Sequence, residues 1–155
     1  MALTDSLTGL RNRRAFEADL ERAISMARAT ETSLVVLSFD LDGLKQVNDS
    51  LGHGGGDQFL STFGQSLATE FEGIGAAYRI GGDEFAVISA RALDDDSLQA
   101  RIKAAIARVQ VESAVQTGAS SGIARFPEDA QSGGDLLRVS DRRMYQDKLH
   151  RRVGR

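Results

Sequence analysis

Three carboxylates in this chain have the types and spacing to work together: Asp40, just past the apolar run at 33–39, and the adjacent pair Asp83 and Glu84. The acidic pair follows Gly81-Gly82, and β-prone runs at 76–80 and 85–88 flank the glycines. That pattern predicts a tight hairpin whose glycines supply positive φ and whose turn displays both acids. Adjacent like charges repel, so a fold that presents them gives them a cation, a donor or open water. Two readings stand: a site for a metal or a phosphate-bearing ligand, or a solvated acidic turn. Asp42 has a structural role open to it as the N-cap of a short helix at 43–48. Asp40 has none, and an unpaired charge at the end of a buried strand is costly. If that strand lies beside the hairpin, Asp40, Asp83 and Glu84 converge into an oxygen cluster of the kind that holds magnesium.

Two further stretches could meet a ligand. The segment 48–57, Asn-Asp-Ser-Leu-Gly-His-Gly-Gly-Gly-Asp, is either a place where backbone amides approach a ligand or a flexible loop. It is not a Walker A motif, and Asp57 stands where a dinucleotide fingerprint needs a third glycine. Arg138, Arg142, Arg143, Lys148, Arg151, Arg152 and Arg155 crowd the C-terminal stretch. They suit a polyphosphate, or they complement the dipole of a solvated helix end.

The elements that position these groups are read from periodicity. Phe16, Leu20, Ile24 and Ala27 mark an amphipathic helix at 13–28 with Asn12 as its N-cap. The run at 33–39 is almost continuously apolar, the pattern of a strand covered on both faces. A helix at 57–70 carries Leu60, Phe63 and Leu67 on one face, with Asp57 as a candidate cap. Asp94-Asp95-Asp96 opens a helix at 97–109, a strand is predicted at 115–124, and a last helix at 134–150. The order predicts an α/β domain around one sheet.

With 155 residues, 41% apolar and 26% charged, the chain fits one domain, 1–155, with a sizeable core. Cysteine is absent, which excludes thiol catalysis, disulfides and cysteine-ligated zinc and leaves oxygen-ligated metals. No apolar run approaches the roughly 20 residues of a membrane span, and the first ten residues lack a leader's apolar core. A net charge of -3 argues against a general nucleic-acid binder.

Five ordered stretches resemble one family, the diguanylate cyclases, whose signature Gly-Gly-Asp-Glu-Phe stands at 81–85. The others lie at 5–16, 39–49, 51–57 and 140–148, so the resemblance spans nearly the whole chain. It implies a single palm-like α/β domain similar to nucleotide cyclases, with a central mixed sheet, an antiparallel signature hairpin and flanking helices. It also implies condensation of two GTP molecules into cyclic di-GMP with release of pyrophosphate, in the bacterial cytoplasm.

The resemblance further implies roles. Asp40 and Asp83 match magnesium ligands (manganese being an alternative ion), with the Leu41 carbonyl assisting and Glu84 aiding metal binding and activation of the 3′-hydroxyl. Lys45, Lys148 and Arg152 match positions that contact the triphosphate. Asn48 and Asp57 match guanine readers, a carboxylate being able to accept from guanine's N1 and N2 donors together. His53 matches a substrate-site position without an assigned role. Arg151 and Val153 depart from the family pattern, and Glu72-Gly-Ile-Gly75 lacks the Arg-x-x-Asp that binds inhibitory product. One GTP site per chain and a symmetric product imply a transient homodimer. An upstream sensor domain is expected outside this chain, and no direct membrane contact is expected from the domain. The alternative function is a catalytically silent module that binds GTP or cyclic di-GMP; intact signature acids favour the enzyme.

Overall fold

In the computed structural model, which describes residues 2–112 and 117–153 (side chains 53, 110–112 and 152–153 excepted), the core is a four-stranded sheet. The elements run α1 (Arg13–Thr30), β1 (Leu34–Asp42), α2 (Leu44–Glu70), β2 (Gly75–Gly81), β3 (Glu84–Ser89), α3 (Asp95–Glu112), β4 (Gly118–Phe126) and α4 (Gly133–Val153). The strand order is β2-β3-β1-β4 and each named pairing is antiparallel. Instead of a mixed sheet, the one parallel pairing among the described residues is the isolated bridge Arg11–Tyr78. The α/β layering and the antiparallel signature hairpin are as the sequence implies.

β1 is central, which is why it reads as continuous apolar sequence. Its odd-numbered residues Val35, Leu37, Phe39 and Leu41 enter one core with α2 and α3, where Phe63 stands edge-on to both Phe39 and Phe85. Leu34 and Val36 enter the opposite core with Phe16, Leu20, Ile24 and Leu136 of α1 and α4. On that second face β1 changes character at Ser38, and from there Ser38, Asp40 and Asp42 follow. Burial of one face thus holds the strand in register while the other carries polar groups to its C-terminal end.

Local signals are borne out at several boundaries. The Asn12 side chain accepts from the Ala15 amide at 3.1 Å and caps α1. Asp94 accepts from the Ser97 amide at 2.7 Å at the start of α3. Other expectations are corrected. Asp42 does not cap a helix: it is the last residue of β1, and the N-cap of α2 is Gly43 at φ 89° with no side-chain cap. The glycine-rich segment is not a loop, since α2 runs through it, broken at Gly52 (φ 75°, ψ 179°) into two helical segments. Asp57 therefore lies inside the second segment and caps nothing. At the hairpin the two-residue turn is Gly82-Asp83, and neither Gly81 nor Gly82 has positive φ. A register shift between Arg79 and Gly81 supplies the extra residue and twist that the primed turn would otherwise provide.

Candidate active site

Antiparallel register decides which acids meet. Asp40 pairs with Glu84 across β1 and β3, so both point to the face covered by α4. Asp83 sits in the turn beyond the end of β3, and its carbonyl accepts from the Leu41 amide at 3.1 Å, tying the turn to β1. From α4, the Lys148 ammonium donates to Asp40 Oδ2 at 2.8 Å, with side-chain exposures of 22% and 15%. The other oxygen, Asp40 Oδ1, is buried and has no hydrogen-bond partner.

The electrostatics match that crowding. Burial, then the charge of Asp40 and a hydrogen-bonding contact with its carboxyl, push the Asp83 carboxyl above its ordinary value. Glu84 is raised by burial and then by the charges of Asp141, Asp40 and Asp83, against Arg13. Burial alone would lower Lys148, but the hydrogen bond to Asp40 and the charges of Asp40, Asp42 and Asp83 outweigh it and raise the ammonium. Asp141 of α4, half-buried, is raised by burial against a hydrogen bond from Ser38. This corner of the sheet carries more negative charge than its cations neutralise.

The expected three-acid set is not fully assembled. Among the described residues no three acidic or imidazole side chains converge closely enough to hold a metal by themselves. The close pair is Asp40 and Asp83, with Glu84 near enough to feel both. A buried carboxylate oxygen without a partner, on an acid that crowds a second carboxyl, is a hard-oxygen environment that fits a divalent cation.

Beside the acids opens a cleft of about 290 Å³ whose lining includes Asp42, Gly43, Lys45, Asp83, Lys148 and Arg151. The N-terminus of α2 begins at this cleft, so unpaired backbone amides and the positive end of the helix dipole join three cationic side chains. An elongated polyanion fits these surroundings. Asn48 lies one turn beyond Lys45, and the break at Gly52 folds the second segment of α2 back against it. A Cβ on Gly56 would stand 1.8 Å from Asn48 Oδ1, so the Asn48 amide rests on the backbone next to Asp57. The two expected base readers are thereby neighbours, with Asp57 exposed. The side chains of His53 and Arg152 lie outside the described residues.

Much of the C-terminal basic cluster is spent on ion pairs. Arg138 pairs with Asp135, Arg143 with Asp129 and Arg151 with Asp147. Of the cluster's described members, Lys148 and Arg151 line the cleft. Arg151 departs from the family pattern in sequence, yet its spacing of three residues from Lys148, the available signal, places both on one helix face. Arg79, the one charged residue of its strand, carries no motif that would single it out. Arg79 donates to Asp5 at 3.2 Å and to the Gly82 carbonyl at 2.8 Å, so it ties the N-terminal motif to the signature turn.

Known proteins resemble this chain in sequence and in fold. The family model "Diguanylate cyclase, GGDEF domain" matches residues 2–153. The chain is 37% identical over 153 residues to diguanylate cyclase DgcP of Escherichia coli, covering 96% of this chain and 45% of that protein. It is 37% identical over 158 residues to diguanylate cyclase TpbB of Pseudomonas aeruginosa, covering 97% and 36% respectively. The chain thus spans less than half the length of these relatives. The isolated GGDEF domain of TpbB superposes with a TM-score of 0.86 at 35% identity, over 95% of this chain and 89% of that one. The GGDEF domain of DgcB from Caulobacter crescentus, solved in complex with c-di-GMP, gives 0.87 at 28% identity, over 97% and 92%. With a family model matching over nearly its full length, relatives at 37% identity and the same fold, this chain belongs to the GGDEF, or diguanylate cyclase, domain family.

Proposed function

We propose that this domain condenses two GTP molecules into cyclic di-GMP with release of pyrophosphate, and that it acts in the cytoplasm. The observation that carries the reading is the buried, unpartnered Oδ1 of Asp40, an acid that crowds Asp83, beside a cleft lined by Lys45, Lys148 and Arg151. Asp40, Asp83 and the Leu41 carbonyl would hold magnesium, or manganese in its place, with Glu84 adjacent. The bound ion would supply Lewis-acid polarisation of the phosphate and a lowered pKa for the attacking hydroxyl.

The chain's own groups do the rest. Lys45, Lys148 and Arg151 neutralise the triphosphate in the cleft, where cations aimed at developing charge also favour the transition state. Asn48 and Asp57 read the guanine edge. The bond formed joins a 3′-oxygen to an α-phosphorus, and the bond broken releases pyrophosphate. Glu84, with its raised pKa, accepts the proton of the 3′-hydroxyl. Because one chain offers one such site, two chains present their nucleotides to each other in a transient homodimer, each supplying one 3′-hydroxyl and one α-phosphate. No described helix is long and apolar enough to cross a membrane.

Incubation with GTP and magnesium, followed by chromatography, is expected to yield cyclic di-GMP and pyrophosphate. Asp40→Asn and Asp83→Asn are each expected to abolish turnover with the circular-dichroism spectrum unchanged. Tight GTP binding with no product from the unmodified chain would instead assign a silent nucleotide-binding module.

A further inference from the structure

Gly122 stands in β4 opposite Ser38 of β1, under α4. A Cβ on it would lie 2.0 Å from the Ser140 carbonyl oxygen, 2.4 Å from the Met144 amide nitrogen and 3.0 Å from the Arg143 carbonyl carbon. All three are backbone atoms of α4, so helix and strand touch main chain to main chain, and no rotamer change could make room for a side chain. A second fastener lies beside this contact. The Ser38 and Ser140 hydroxyls are 2.7 Å apart and buried, and Ser140 Oγ also donates to the Leu137 carbonyl at 3.0 Å.

From Ser140 the helix rises about 12 Å to Lys148, whose ammonium meets Asp40 at 2.8 Å. Asp40 lies two residues past Ser38, roughly 7 Å along β1. The helix meets the sheet main chain to main chain at Gly122, Arg143 and Asp147 tie it to β4 further along, and the same stretch of α4 carries the cations of the cleft.

We propose that Gly122 is a positioning residue: by letting α4 rest on the sheet, it sets the height at which Lys148 and Arg151 meet the cleft, and so controls triphosphate binding without touching the ligand. The ligand part of this statement rests on the function proposed above. The geometric part does not, which allows the two to fail separately.

Gly122→Ala requires α4 to lift by about 1.5 Å to reach ordinary contact distance. The first measurement is amine labelling of the nucleotide-free chain, read by mass spectrometry. Lys148 is expected to label several-fold faster in the variant, while Lys103, exposed on α3, is unchanged. The second is binding of inorganic triphosphate, expected to weaken roughly 10- to 100-fold, as a displacement of this size costs a preorganised site. In a background carrying both Lys148→Ala and Arg151→Ala the same substitution is expected to add almost nothing, since it acts through those two groups. Unchanged Lys148 labelling in a folded Gly122→Ala chain, or a further additive loss in that combined variant, would overturn the proposal. If Gly122→Ala does not fold, the pair Ser38→Ala with Ser140→Ala removes the fastener without overlap, at the cost of the hydrogen bonds that these serines also give to Asp141 and the Leu137 carbonyl. It too should speed Lys148 labelling, and no change would overturn the proposal. Failure of the unmodified chain to convert GTP would refute the function and leave the labelling result standing.

Discussion

At the scale of the residue, the acidic corner trades stability for a site. Asp83 and Glu84 are raised above their ordinary values by burial and by neighbouring carboxylates. A carboxyl raised in the folded state favours folding below its unfolded pKa, and that contribution is lost as pH rises through the folded value. At neutral pH the crowded acids therefore oppose folding. Asp83→Asn is expected to raise the melting temperature in EDTA at neutral pH by about 2 to 4 °C per kcal/mol relieved, with the gain disappearing below about pH 4, where unfolded carboxylates protonate. Adding magnesium should stabilise the unmodified chain and leave the variant unmoved; a magnesium response retained by Asp83→Asn would remove Asp83 from the ligand set. Asp57, exposed beside Asn48, makes a different prediction. Asp57→Ser should lower the preference for GTP over ATP by roughly 10- to 100-fold, from the loss of a charge-assisted pair. Competition binding that finds the preference intact would place base reading elsewhere.

At the scale of the element, α2 is the least regular and the most informative. Its N-terminal segment delivers Lys45 and open amides to the cleft, and the break at Gly52 turns the second segment so that Gly56 supports Asn48. A methyl group at Gly56 would meet the Asn48 side-chain oxygen, the end of a side chain that can swing away. Gly56→Ala is therefore expected to keep or slightly raise stability, because alanine favours helix over glycine by roughly 0.5 to 1 kcal/mol. The same variant should raise KM for GTP by displacing Asn48. Paired thermal melts and initial-rate kinetics check this, and a lowered melting temperature with KM unchanged would contradict it.

At the scale of the whole molecule, both edges of the sheet are covered. The outer edge of β2 receives the N-terminal segment through the Arg11–Tyr78 bridge and the bond from the Arg79 amide to the Arg11 carbonyl at 2.9 Å. Along the outer edge of β4, Asp147 accepts from the Ser121 amide, Arg143 donates to the Ile123 carbonyl and Asp129 accepts from the Arg125 amide. Arg143, with its hydrogen bond to Asp129 and burial opposing each other, ties that edge to α4. Two copies cannot readily join by extending the sheet, so the proposed pairing must bring cleft to cleft. The specific activity of this chain is expected to rise with protein concentration, and a fused dimerising helix should accelerate it through effective concentration. A dilution series with constant specific activity and a monomeric mass throughout would sink the idea that pairing limits turnover.

By itself the sequence determined the helices with capped, periodic faces, the central strand and the hairpin, because capping, period and apolar content are local properties. It also pointed to Asp40, Asp83, Glu84, Lys45 and Lys148, through the resemblance of the stretches that carry them to one family's motifs. What it misread were features set by contacts between distant segments. The glycine-rich stretch looks like a loop, yet Val47 before it and Phe59 and Phe63 after it are buried in one core, and Gly56 rests on Asn48. The glycine pair looks like a primed turn until a bulge takes up the twist. That Asp40 faces Asp83 and Lys148, while Glu84 stands to one side, depended on strand register and on the height of α4 over Gly122. Both are decided by how the sheet and helix pack, and neither is written in any local run of residues.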